Sequence, residues 1–209
     1  MMERSILMCV AAVVLAACGG DKGGAGAALG EPEAVDVAKD FKVSSRNVVQ
    51  WKRAAAIEAD LTRALALSPD ELCKELSDKN CIRDVHLVPM GGNEPYVSGL
   101  MKPSVEPLAT TPAVIDRVLL SACSTRADRD ASGKPEVFTK LEFDEQLPAA
   151  DDPAIHDTVV TLYRRLLARD PSSDEVKLVA SLAEDGVKPR DFAALACFTI
   201  GSSTEFLFF

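Results

Sequence analysis

Prolines stand where helices begin in this chain, and that punctuation restricts it to a helical fold. Ser68-Pro69-Asp70-Glu71 combines an N-cap, a proline at the first helical position and a capping-box glutamate. Thr111-Pro112 and Asp152-Pro153 start two more helices, Ser172 with Glu175 a further one that stops near Gly186, and Pro189 opens the last. Proline suits the first turn because its missing N–H has no intrahelical acceptor there and its φ is preset. Apolar positions then recur at helical spacing. Ala54, Ile57, Leu61, Ala64 and Leu65 share one face of a segment that Ser44 or Ser45 can cap and that runs to about Leu67. Ile115, Val118, Leu119, Ala122 and Cys123 repeat the pattern after Pro112, as do Ile155, Val159, Leu162 and Leu166 after Pro153.

The middle of the chain reads differently. Ile82–Val88 alternates as a short half-buried strand, with Asp84 and His86 on one side, and Val137–Phe143 is a second short strand. Pro89–Thr111 holds four prolines and three glycines, the composition of a long ordered loop, packed through Tyr96, Leu100 and Met101. Phe206, Phe208 and Phe209 are expected to fold back and plug the helical core. The fold class is therefore mainly α: one helical domain over 35–209, with one or two short strands, the Pro/Gly-rich loop and two disulfides.

The disulfides follow from where the N-terminus sends the chain. Ile6–Leu15 is an apolar run too short to span a bilayer, behind a weakly charged start, as in a removable signal. Leu15-Ala16-Ala17-Cys18-Gly19-Gly20, which ends that run, resembles the lipobox of bacterial lipoprotein signal peptides. The resemblance implies cleavage of a 1–17 signal peptide, a diacylglycerol on Cys18 and, with Gly19 next, sorting to the outer membrane, facing the periplasm or the cell surface. Residues 18–34 hold six of the twelve glycines and read as a tether on which the domain floats above the membrane. Outside the cytosol, Cys73, Cys81, Cys123 and Cys197 form an even set, and two disulfides are expected. Three connectivities are open; the short spacing of the first two favours Cys73–Cys81 with Cys123–Cys197. No CxxC or CxxCH pattern suits zinc or haem, so no metal or cofactor is expected beyond the covalent lipid.

The net charge of −9, spread without a basic run, argues against nucleic acid and anionic headgroups as partners. GxSxG, HExxH and P-loop patterns are absent, so an enzyme is not expected. Asp84 and His86, with Asn93 and Glu94 after the Gly91-Gly92 turn, are the residues that can converge as a polar pocket or an oxygen-rich cation site. His156, beside Asp157 near a helix start, reads as surface.

Leu162–Ser172, Asp191–Phe198 and Ser202–Phe208 are similar to the terminal helical segment of the cytochrome-associated surface proteins of Planctomycetes. That resemblance implies a helical packing unit and carries no catalytic residue. The expected function is a membrane-anchored, non-enzymatic binding or assembly module for another envelope protein. The alternatives are an accessory subunit of an envelope redox system, or a ligand- or cation-binding domain using the 84–94 region.

Overall fold

The computed structural model describes residues 49–99 and 101–208; the leader, Cys18, the Gly-rich segment and Ser44 and Ser45 lie outside them. The described residues contain α1 (Ala54–Leu65), α2 (Pro69–Leu72), α3 (Pro95–Ser98), α4 (Thr111–Ser132), α5 (Pro153–Leu167), α6 (Ser173–Ala180), α7 (Pro189–Gly201) and α8 (Thr204–Leu207). Pro69, Pro112, Pro153 and Pro189 occupy the first turns of α2, α4, α5 and α7. Asp152 caps α5 by accepting from the Ala154 N–H at 2.7 Å, and Ser172 and Glu175 form the capping box of α6.

α1 buries Ala54, Ile57, Leu61, Ala64 and Leu65, the set its spacing predicts, and α4 buries Ile115, Val118, Leu119, Ala122 and Cys123. The most extensive helix pairing is α4 against α7, and the Cys123–Cys197 disulfide crosses it with Cα atoms 5.7 Å apart. Cys73–Cys81 is the second bridge, at 5.5 Å. Burying two sulfurs between long helices closes a loop of 74 residues, whereas the second bridge closes one of 8. α5 packs on α1, α6 and α7. The tail closes the core: Phe206 is fully buried, the Lys52 N–H donates to the Leu207 carbonyl at 2.7 Å, and Trp51 forms an antiparallel bridge with Phe208. Phe208 itself sits exposed at the rim, and Phe209 lies outside the described residues.

Several local expectations are corrected. Ile82–Val88 is not a strand; Cys81–Val85 forms a π-type turn. Asn80 Oδ1 accepts from the Ile82 and Arg83 N–H groups at 3.0 and 2.9 Å, which bends the backbone before a ladder can form. Val137–Phe143 is not a strand either. The Asp130 carboxylate takes the N–H groups of Glu136, Val137 and Phe138 at 3.0, 3.0 and 2.8 Å, leaving this segment short of donors for a neighbour. Among the described residues the strands are instead β1 (Lys74–Glu75) and β2 (Lys79–Asn80), an antiparallel hairpin inside the Cys73–Cys81 bridge with Lys74 opposite Asn80. α1 begins only at Ala54, because the preceding backbone is extended and tied by the Ala54 N–H to Met90 O at 2.8 Å as well as by Leu207. α6 ends at Ala180, short of Gly186, where Leu182 and Ala183 turn back onto the carbonyls three residues earlier. In the long loop Tyr96 and Met101 are exposed rather than packed, Leu100 lies outside the described residues, and Met90 is the buried anchor.

The two capping boxes give the fold an acid signature. Glu71 accepts from the Ser68 N–H at 2.8 Å and pairs with Arg129; Glu175 pairs with Arg169 at 2.6 Å and accepts from the Ser172 N–H at 2.7 Å. The backbone N–H in the first case and the guanidinium in the second are the leading causes that lower both carboxyls from the ordinary 4.5 to about 2. A carboxylate with a lower pKa folded than unfolded stabilises fully above its unfolded value, and that stabilisation is lost as pH falls from about 4.5 through about 2. Each side chain is 33 % exposed, so solvent screening keeps the contribution small. Urea denaturation across this range should show stability falling with acid, and Glu71→Gln with Glu175→Gln should flatten the fall. An identical slope in wild type and variant would refute the assignment.

Candidate functional site

The site begins with a turn that the sequence makes in an unfavourable way. Between β1 and β2 the chain turns through Leu76 at φ 48° and Ser77 at φ 80°. That left-handed region suits glycine or asparagine, and a bulkier residue there costs about 1–3 kcal/mol. Leu76 gains no burial in exchange, since its side chain is 76 % exposed. The Cys73–Cys81 bridge holds both ends of the hairpin, and Lys74 Nζ to Asp78 Oδ1 at 2.6 Å spans the turn.

This hairpin forms part of an open groove of about 860 Å³, within the size range of ligand clefts. Leu76, Val85, Leu87 and Val88 give it apolar surface. Lys79 and Arg83 contribute cations, Asp84 and Glu94 carboxylates, and Asn93 and Ser98 neutral polar groups. Arg83 is held by Glu58 of α1 at 2.8 Å, which stabilises its charged form further. Lys79 and Glu94 line the groove and make no ion pair among the described residues.

Three of the four residues singled out from the sequence meet in this groove, and one does not. Asp84, Asn93 and Glu94 line it. One Asp84 oxygen accepts from the Asn80 N–H at 3.0 Å and helps to fix the turn. His86 is turned the other way: its Nε2 lies 3.0 Å from Glu75 Oε2, and Glu75 Oε1 lies 3.1 Å from Arg117 of α4. The Glu75 carboxylate thus ties β1 to the segment after the π-type turn and to α4. The reason for the misplacement is the turn itself, because positions 84 and 86 share a face only if the backbone is extended.

Gly91 and Gly92 bring Asn93 and Glu94 to the groove. At Gly91, with φ +70°, a Cβ would lie 2.6 Å from the Trp51 ring, and at Gly92 it would lie 2.3 Å from Leu87 Cδ1. Only glycines let the backbone pass both side chains this closely. Among the described residues, one group of potential metal ligands lies close enough to share an ion, namely Cys73, Glu75 and Cys81. Both sulfurs are committed to the disulfide. His156 is exposed on α5 beside Asp157.

Comparison of the chain with protein-family models, curated proteins and solved structures finds no match. The groove's geometry and the sequence are therefore the grounds for a functional reading. Sequence reasoning missed Leu76, Lys79 and Arg83. The available signal was a leucine set among charged residues in a short loop closed by two cysteines, a place where an apolar side chain has no core to reach. Among the described residues no helix is long and apolar enough to cross a membrane.

Proposed function

We propose that this protein is a lipid-anchored envelope protein that works without catalysis, binding a segment of another envelope protein in the groove between the hairpin and α3. The observation that carries this reading is Leu76. An exposed leucine held in left-handed backbone at the rim of a groove costs stability and returns none among the described residues, as expected of a side chain kept for a partner. The groove's mixture of apolar surface with Lys79 and Glu94 suits a short peptide segment that has apolar side chains flanked by both charges. The resemblance of Leu15–Gly20 to a lipobox supports the location, with Cys18 as the residue that would be anchored in the outer membrane.

A photo-crosslinking amino acid at Leu76 tests the binding role in living cells, with the same group at exposed Leu178 of α6 as the control. The expected result is one discrete protein adduct from position 76, lost in the Lys79→Glu, Glu94→Lys double variant, and none from 178. Equal labelling from both positions, or none from 76, would sink the reading. The redox-accessory alternative has only the C-terminal resemblance behind it. Leu162, Leu166, Phe192, Cys197 and Phe206 of that segment are core residues here.

A further inference from the structure

The loop that leaves the groove exposes apolar side chains, and its Val105 lies beside Val49. Tyr96 is 99 % exposed, Met101 83 % and Val105 77 %. The loop that carries them is fastened. The Thr111 hydroxyl donates to Pro89 O at 2.5 Å and accepts from the Leu108 N–H at 2.9 Å, and the Trp51 indole N–H donates to Val105 O at 3.3 Å. Val49, the first described residue and itself 71 % exposed, lines a small pocket together with Trp51, Val105 and Glu106. Val105 therefore joins this exposed loop to the N-terminal edge of the described domain.

We propose that the exposed apolar side chains of this loop, Tyr96, Met101 and Val105, together with Val49 beside Val105, dock on the lipid bilayer that holds Cys18. The inference rests on the lipid-anchor reading and deepens it. About thirty residues join Cys18 to Val49, and even fully extended they reach only about 100 Å, so the loop is confined to the neighbourhood of its own membrane. Covalent confinement of this kind gives effective concentrations of about millimolar or higher, at which a weak apolar contact is populated. Tyrosine and other apolar side chains settle at the boundary between headgroups and acyl chains. The charges beside these side chains, Lys102 and Arg53 against Glu94 and Glu106, balance, and the net charge is −9, so no net attraction draws anionic headgroups; the contact is apolar and zwitterionic lipid is its partner. Instead of floating at the end of its tether, the domain then rests on the membrane by this face, with Asn93 and Glu94 of the groove at the start of the same loop.

Trp51 is the only tryptophan in the chain and touches this loop, which makes it the reporter. The full acylated protein is reconstituted into phosphatidylcholine vesicles with or without dibrominated acyl chains, which quench tryptophan on contact. Docking to the usual interfacial depth predicts roughly two-fold lower Trp51 emission in the brominated vesicles. Emission should recover in the Tyr96→Ser, Met101→Ser, Val105→Ser triple variant, whose substitutions fall on exposed side chains. Trp51→Phe with Met101→Trp moves the reporter to the loop itself and should be quenched more strongly. Protein that carries the diacylglyceryl mass on Cys18 and sediments with vesicles, yet is not quenched, overturns docking and leaves the anchor standing; a protein adduct from a crosslinker at Met101 would then name a protein as the occupant. Quenching that persists in the triple variant also overturns it. An unmodified Cys18 with no sedimentation overturns the anchor and docking together.

Discussion

Asp130→Ala should lower stability by about 5 kcal/mol, among the largest effects of any single substitution in this protein. The Asp130 side chain is fully buried, and Arg126, 4 % exposed, meets it at 2.5 Å. Its two oxygens also receive the three backbone N–H groups of residues 136–138. Removing one partner of a buried ion pair leaves an uncompensated charge, which costs about 3–5 kcal/mol, and each orphaned buried donor adds about 1–3 kcal/mol. Arg126 keeps Glu136 at 3.2 Å, and that contact offsets part of the loss. For a domain of this size each kcal/mol shifts Tm by roughly 2–4 °C, so a fall of about 10–20 °C is expected in a thermal scan. Asp130→Asn retains one acceptor oxygen and should fall in between. A shift below about 3 °C for the alanine variant would show that the carboxylate does not organise this segment.

Deleting residues 205–209 should destabilise the protein at least as much. Phe206 is fully buried, and removing a buried phenylalanine side chain costs about 3–5 kcal/mol. The deletion also breaks the Lys52 to Leu207 hydrogen bond and the Trp51–Phe208 bridge, and it removes Phe206 from beneath the Lys52 ammonium, 4.5 Å from the ring centroid. Glu205 pairs with Arg169 at 2.6 Å, but that pair is exposed and contributes about 0–1 kcal/mol. Phe206→Ala should therefore reproduce most of the loss and Glu205→Ala little of it. Because Trp51 is bound to this tail, its emission should shift to the red in the deletion before global unfolding. An unchanged melting curve would mean that the tail is a surface peptide and not part of the core.

The groove shows where sequence reading reaches its limit. Asp84, Asn93 and Glu94 are found together because a glycine pair and a short turn place them by local geometry. His86 is lost to Glu75, a residue whose second oxygen is held by Arg117, far away in sequence. Leu76 becomes conspicuous only once its backbone angle and exposure are both known.

Local physics placed most of the helices. Proline at the first turn, caps that act over three residues and apolar spacing near 3.6 place α2, α4, α5, the start of α6 and α7 and select their buried faces. The spacing of the cysteines favoured the pairing that the helices make. The tertiary structure decided the segments between them. Ile82–Val88 and Val137–Phe143 have the alternation of strands, yet a backbone N–H goes to the best acceptor within reach. Here those acceptors are the side chains of Asn80 and Asp130, the latter aimed by its burial with Arg126 beneath the 136–138 segment. Alternation says which side of a strand would be apolar; whether a neighbouring strand or a carboxylate meets the backbone is settled only when the helices have packed.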